Sequence, residues 1–393
     1  MFETEIAPDA DFQQNDVVLT NANLVLEDEV VKGSLRIRNG LIEDISAAPS
    51  DAAGAIDCNG DLVTPGLVEL HTDNLERHMS PRPGIKWPYR QAVIAHDAEL
   101  AGVGITTVFD AMRVGSVVSE TRSKYGKYAR EMADNLLALR KEDALRISHF
   151  THLRAEICSE TLVEELAEFG PDDRIGIVSM MDHTPGQRQF TDTTQMRTYL
   201  TGKYNMSDAD IELHFDVLYG IKAKFGALHE DATVKAAANL GAILASHDDT
   251  TAGHVETSAA YGVRLAEFPT TKEAAVACRD HNISVMMGAP NILRGGSHSG
   301  NVSAQDLCDA GVLDILSSDY APASLLAAAC RMGLEQGNMA KGFVTVTRNP
   351  ALAAGLKDRG ALQTGLRADL VRIALYQDSP ATRGVWVRGA RVA

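Results

Sequence analysis

Two kinds of hydrophobic patterning divide this chain. In residues 17–64 and 361–393 apolar and polar residues alternate in short runs broken by Asn-Gly or Gly, the pattern of half-buried strands. Between them the pattern changes. Apolar runs (GLVELH, GITTVFDAM, LRISHFTHLRAEI, RIGIVSMMDH, GAILASHDD, GVRLAEFP, ISVMMGAP and LDILSSDYAP) are separated by stretches of helical period such as SKYGKYAREMADNLLALRKED and TLVEELAEFG. Eight such runs, spread over about 280 residues, predict a (β/α)8 TIM-like barrel of the α/β class, a fold of about 250 residues. The two ends of the chain, both strand-like, predict a small composite β-sandwich domain beside it. The expected division is 1–65 plus 345–393 for the β-domain and 66–344 for the barrel.

Composition narrows the context. With 393 residues, 45% apolar and 23% charged, the chain is long enough for a large core. No window approaches 18 uninterrupted apolar residues, so no membrane span is expected. The first residues, MFETEIAPDADFQQND, lack the basic and then apolar character of a secretory signal. Five scattered cysteines, Cys58, Cys158, Cys278, Cys308 and Cys330, read as reduced, buried thiols and point to a cytoplasmic protein. The formal charge of −16 argues against nucleic-acid or acidic-membrane partners. A small anionic substrate stays open if cations gather locally.

Catalytic groups of such barrels sit at the C-terminal ends of the strands. The first run ends in His71 and Asp73, the third in Glu156, and the fourth in Asp182 and His183. The fifth ends in His247, followed by Asp248 and Asp249. The sixth and seventh end in Glu267 and in Pro290-Asn291, the eighth in Asp319. Imidazoles and carboxylates suit Zn²⁺, Mn²⁺ or Fe²⁺. A metal there would yield a hydroxide near neutral pH, and Asp319 beside that water would relay its proton. A lone strand-end histidine is more often structural; the set His71, Asp73, Glu156, His183, His247 and Asp319 is what points to metal. Asp73 could instead orient a ligand. His152 is expected to be structural or to support a ligand, and His96, His149, His214, His254 and His281 to lie at the surface or in the core.

These residues carry a resemblance. PGLVELHTDN after a β-patterned beginning, single histidines at two later strand ends, and SSDYAP resemble the amidohydrolase superfamily of metal-dependent hydrolases. The tail TRNPALAAGLKDRGALQTGLRADLVRI is similar to that superfamily's return into its small β-domain. ELHTDNLERHMSPRPGIKWP, PNILRGGSHSGNVSA and LDILSSDYAP are similar to its phosphonate-metabolism branch, and the likeness spans nearly the whole chain. It implies hydrolysis of a ribose 1-phosphonate 5-triphosphate to the 5-phosphate and pyrophosphate at one or two divalent ions, zinc first among them. Glu156 or water would bridge two ions, His183 and His247 would hold the second, and Asp319 would bind the first and act as general base. Two features depart from the superfamily's pattern. Asp73 stands where a second histidine is usual, and the later histidines fall on strands four and five rather than five and six. A further strand between 205 and 235, or one of the eight runs lying outside the barrel, would reconcile the count.

A triphosphate needs cations or backbone N–H groups. The loops after the strands supply Arg82, Lys86, Arg113, Arg154 and Arg188, then Arg294, Gly295, Gly296, Ser297, His298 and Asn301 in the seventh. His78 is either a substrate contact or a helix-surface residue. Three other readings stay open: a C–N hydrolase such as a cyclic amidase or deaminase, a non-catalytic scaffold, and a sugar-phosphate-binding regulator. A homodimer, common among such barrels, is compatible with the sequence.

Overall fold

The computed structural model describes residues 16–393 apart from 83, 120–126, 189–192 and 298–299. Its strands are β1 (Val17–Val25), β2 (Val30–Arg38), β3 (Leu41–Ser46), β4 (Ile56–Asp57), β5 (Leu62–Pro65), β6 (Leu67–Thr72), β7 (Ile105–Val114), β8 (Ser148–Glu156), β9 (Ile175–Met181), β10 (Ile243–His247), β11 (Leu265–Glu267), β12 (Ser284–Gly288), β13 (Ile315–Ser317), β14 (Leu370–Tyr376), β15 (Ser379–Val387) and β16 (Ala390–Arg391). They form two sheets.

Strands β6 to β13 pair in sequential order, all in parallel. Each lies in one of the eight apolar runs. Every residue of β6 and β9 is buried, as expected of strands covered by helices outside and by packed side chains within. The barrel is nearly closed. At the seam a parallel bridge joins Thr72 to Asp319, and the Asp73 amide donates to the Asp319 carbonyl at 3.0 Å. The Ser317 hydroxyl donates to the His71 carbonyl. Glu69, fully buried, completes the seam: its carboxylate accepts from the amides of His71 and Ser318.

The interior fills in layers. Val68, Leu70, Phe109, Phe150, Ile177, Ala245, Leu265, Met286 and Ile315 form an apolar floor. Two residues further along six of these strands stand His152, Ser179, His247, Glu267, Gly288 and Ser317, which period-two geometry sets on the next layer up. The polar groups thus sit on hydrocarbon, at the mouth.

The second sheet runs β16-β15-β14-β5-β1-β2-β3, with β4 against β1. It is mixed: β1 pairs in parallel with β4 and β5, and β5 pairs antiparallel with β14. Strands from both chain ends therefore share one sheet, over a core that includes Leu19, Leu35, Val63, Leu370 and Trp386.

The segment considered for an extra strand is a helix, Asp208–Leu240. The Ser207 hydroxyl accepts from the Asp210 amide and the Asp210 carboxylate from the Ser207 amide, the reciprocal cap that starts a helix. Buried Ile211, Phe215, Leu218 and Ile221 follow at helical spacing, and Gly241, with φ 66°, ends it. All eight runs stand in the barrel, and the later histidines remain on the fourth and fifth strands. Among the described residues no helix is long and apolar enough to cross a membrane.

Candidate active site

His71 closes β6 with its ring buried. The pairing of β6 with β7 shifts between Glu69 and Thr72, an irregularity of the kind that re-aims side chains beside active sites. One ring nitrogen, Nε2, lies 3.8 Å from Asp73 Oδ1; the other, Nδ1, lies 3.4 Å from Glu267 Oε1. His71, Asp73 and Asp319 bring three potential ligand atoms within 4.8 Å of one another. The Asp319 backbone has φ 54°, an uncommon conformation for a residue with a Cβ, held by the seam contacts to Thr72 and Asp73.

The remaining three candidates join this group. The His247 ring lies 5.7 Å from that of His71, and His183 lies 6.3 Å from His247. His183 Nδ1 is in close contact with Glu156 Oε2, and Glu156 Oε1 accepts from the amides of Cys158 and His183. His247 Nδ1 meets the Asp248 carboxylate at 2.6 Å. The six candidate ligands, distributed over 249 positions of sequence from His71 to Asp319, thus form one continuous cluster.

Electrostatics separates the two carboxylates nearest His71. Burial raises the pKa of Asp319, and the negative charge of Asp73 adds to this against His71, Arg154 and His247. Burial also acts to raise Asp73, but Arg154, His71 and His247 outweigh it and hold the carboxyl below its ordinary value. A second group, His71, His152 and Glu267, also brings ligand-type atoms within 4.8 Å. Both Glu267 oxygens and His71 Nδ1 are buried without a hydrogen-bond partner among the described residues. Orphaned buried acceptors beside imidazoles, with two further carboxylates, form a donor set that fits a divalent cation.

The predicted cations divide. Arg154 belongs to the cluster: its Nη1 donates to Asp73 Oδ1 at 2.6 Å and its Nε to Met181 Sδ. Arg113 sits beside it in register on β7 and donates to the Gly115 carbonyl. Arg188 spans the end of β10, donating to the His247 carbonyl and, at 2.6 Å, to Asp249. His78, on the short helix Asn74–Met79, is tied to Glu99 at 2.7 Å. Arg82 and Lys86 are exposed. Arg294 ends the helix Ala289–Arg294 exposed, with Gly295 as its left-handed cap. Gly296 donates back to the Asn291 carbonyl, and Ser297 and Asn301 are half-buried. None of the described hydrogen bonds or ion pairs joins His78, Arg82, Lys86 or Arg294 to the cluster. His298 lies outside the described residues.

Other interior residues find partners that the sequence did not show. Glu267 was visible as a strand end but had no role. His152 lies in the barrel wall, bonded to the Leu70 carbonyl and the Ser179 hydroxyl. His96 and His149 both grip the buried Asp110, each at 2.7 Å.

The chain is 41% identical over 379 residues to the alpha-D-ribose 1-methylphosphonate 5-triphosphate diphosphatase of Escherichia coli (strain K12), over 96% of this chain and 100% of that one. The chain belongs to this diphosphatase family. It is therefore a hydrolase. It is also 22% identical over 390 residues to the imidazolonepropionase of Thermoplasma volcanium, over 91% of this chain and 88% of the other. The structure of 5-methylcytosine deaminase from Klebsiella pneumoniae liganded with phosphonocytosine aligns over 96% of this chain and 98% of that one, with a TM-score of 0.63 at 15% identity. That likeness shows a shared fold, a barrel with a sheet built from both chain ends. No protein-family model matches the chain.

Proposed function

We propose that the cluster at the barrel mouth is a divalent-metal centre and that the diphosphatase hydrolyses a ribose 1-alkylphosphonate 5-triphosphate to the 5-phosphate and pyrophosphate, in phosphonate catabolism. The observation that carries the reading is the convergence of His71, Asp73 and Asp319 within 4.8 Å in a chain 41% identical to a diphosphatase of that name.

His71, Asp73 and Asp319 would hold one ion. His183 and His247 would hold a second, with Glu156 between the two. Imidazole with carboxylate favours Zn²⁺, and Mn²⁺ and Fe²⁺ accept the same donors. A bound ion supplies an activated water and neutralises charge on the leaving group. Asp319, its pKa raised by burial, accepts the proton of the attacking water. A phosphorus–oxygen bond forms as the bond to departing pyrophosphate breaks. Arg154 and Arg113, adjacent in register, and Arg188 face the phosphate oxygens and stabilise their charge. The outer loops, with His78, Arg82, Lys86, Arg294, Gly295, Gly296, Ser297, His298 and Asn301, complete the grip on the distal phosphates. The division at 1–65 plus 345–393 against 66–344 belongs to the same reading, as do a cytoplasmic location, a homodimeric state and no nucleic-acid partner.

Phosphorus NMR of reactions with ribose 1-methylphosphonate 5-triphosphate and ATP, and proton NMR of reactions with a hydantoin and a dihydropyrimidine, test the substrate class. Pyrophosphate and the 5-phosphate from the phosphonate, with the cyclic amides intact, is the expected result. Ring opening of the amides with no triphosphate cleaved would assign the site to C–N bonds.

A further inference from the structure

Glu267 ends β11 in the barrel interior, fully buried. Its Oε1 lies 3.4 Å from His71 Nδ1 and 3.4 Å from His152 Nε2, and neither carboxylate oxygen has a hydrogen-bond partner among the described residues. An isolated carboxylate in such a place is costly, so a donor or a cation must face it.

The two imidazoles are not equivalent candidates. His152 Nδ1 bonds the Leu70 carbonyl at 3.0 Å, which can only accept, so Nδ1 carries the proton. His152 Nε2 then takes the Ser179 hydroxyl as donor, at 3.0 Å, and has no proton to offer Glu267. His71 Nδ1 is left as the group able to donate. With its proton on Nδ1, His71 presents an unprotonated Nε2 on the side of Asp73, 3.8 Å away.

We infer that Glu267 is a positioning residue: it holds His71 in the Nδ1–H tautomer and aims its Nε2 at the ion that Asp73 and Asp319 share. The inference rests on the metal-centre reading above and extends it to a residue outside the six. A carboxylate that accepts the second N–H of a ligating histidine fixes the ring and raises the basicity of the ligating nitrogen. The following residue supports the same ring. Phe268 has φ 56°, outside the ordinary range for a bulky side chain, and its ring meets His71 edge-on at 5.1 Å and His247 at 5.4 Å. Glu267 and Phe268 together confine the imidazole on which the centre is built.

The test is metal affinity, read apart from activity. Co²⁺ is titrated against a competing chelator in the wild-type chain, Glu267→Gln, Glu267→Asp and Asp319→Asn, and visible spectra are taken of each loaded protein. The near-isosteric Glu267→Gln should bind Co²⁺ about 10–100-fold more weakly with an altered ligand-field band, and Glu267→Asp should recover part of the loss. Wild-type affinity and spectrum in Glu267→Gln would overturn the role of Glu267 and leave the centre intact. A wild-type chain that holds no Co²⁺, or holds it as tightly after Asp319→Asn, would overturn the metal-centre reading itself. Should the Glu267 variants fail to fold, long-range proton–nitrogen spectra of histidine-labelled wild-type protein decide the point. A proton on His71 Nδ1 supports the inference and a proton on Nε2 overturns it.

Discussion

Arg154 reaches from β8 to Asp73, past β7, and sets a guanidinium nitrogen 2.6 Å from the Asp73 carboxylate. This pair accounts for an ionised aspartate beside His71 at the barrel mouth. Burial acts against the charge of the guanidinium, but the carboxylates of Asp73, Glu76 and Glu267 outweigh it, and Arg154 in turn keeps the half-buried Asp73 ionised. Asp319, a few ångströms away, is pushed the other way by burial. In the proposed centre, two carboxylates whose surroundings drive their pKa values apart would play different parts, Asp73 as ligand only and Asp319 as ligand and base.

Removing the guanidinium leaves Asp73 with one counter-charge fewer. Arg154→Ala, kept free of metal with a chelator, should unfold at lower temperature, by an amount corresponding to about 1–3 kcal/mol. Adding a divalent cation should recover more of the loss than in wild type, because the cation replaces the missing charge. Paired thermal melts with and without metal check this; equal metal responses in the two proteins would contradict it.

Asp319→Asn keeps the shape but replaces a charged ligand and base with a neutral amide. Its kcat should fall by about 10²–10⁴-fold. The wild-type pH profile should show an acid limb where the base becomes protonated, and Asp319→Asn should lose it. Steady-state pyrophosphate release across pH measures both, and undiminished turnover would remove the base assignment.

Glu69 holds the barrel seam. Glu69→Ala strands the amides of His71 and Ser318 inside the protein, at about 1–3 kcal/mol for each unsatisfied donor. The variant should melt well below wild type, whereas Arg82→Ala, at an exposed loop position, should not. A melting temperature within error of wild type would show that backbone contacts alone close the barrel.

The buried His96–Asp110–His149 group should make stability fall at alkaline pH. Burial acts to lower the pKa of His149, but the carboxylates of Asp110 and Asp97 outweigh it and raise it to about 9. A histidine whose folded pKa exceeds its unfolded value of about 6.5 stabilises the fold fully below that pH. The contribution is lost as pH rises through about 9. Asp110, held below its ordinary value by the two imidazoles against its burial, contributes in the opposite sense and is lost only in acid. Asp110→Asn should flatten the alkaline limb of a melting-temperature profile; an unchanged limb would place its origin elsewhere.

The eight barrel strands were legible because parallel strands buried on both faces read as continuous apolar runs, and their ends marked the six candidate ligands. What the sequence concealed depends on direction. Nothing in LAEF states that Glu267 points inward beneath His71, or in HFTHLRAE that His152 fills the wall while Arg154 stands over the mouth; those facts arise when period-two strands close into a ring. Partners far along the chain were equally hidden. His78 finds Glu99 across a helix pair, and His149 finds Asp110 on the neighbouring strand. The helix Asp208–Leu240 fills the stretch where an extra strand would have moved the later histidines to strands five and six. Its start was written in Ser207 and Asp210.

The central claim is that the strand-end cluster is the metal centre on which diphosphatase activity depends. Pyrophosphate release from ribose 1-methylphosphonate 5-triphosphate should be measured with metal-loaded, chelated and re-loaded protein, alongside metal content in wild type, His71→Ala and Asp319→Asn. The account predicts release that vanishes on chelation and returns on reloading, with metal lost from both variants. Undiminished release from metal-free protein, or full metal content in His71→Ala and Asp319→Asn, would contradict it.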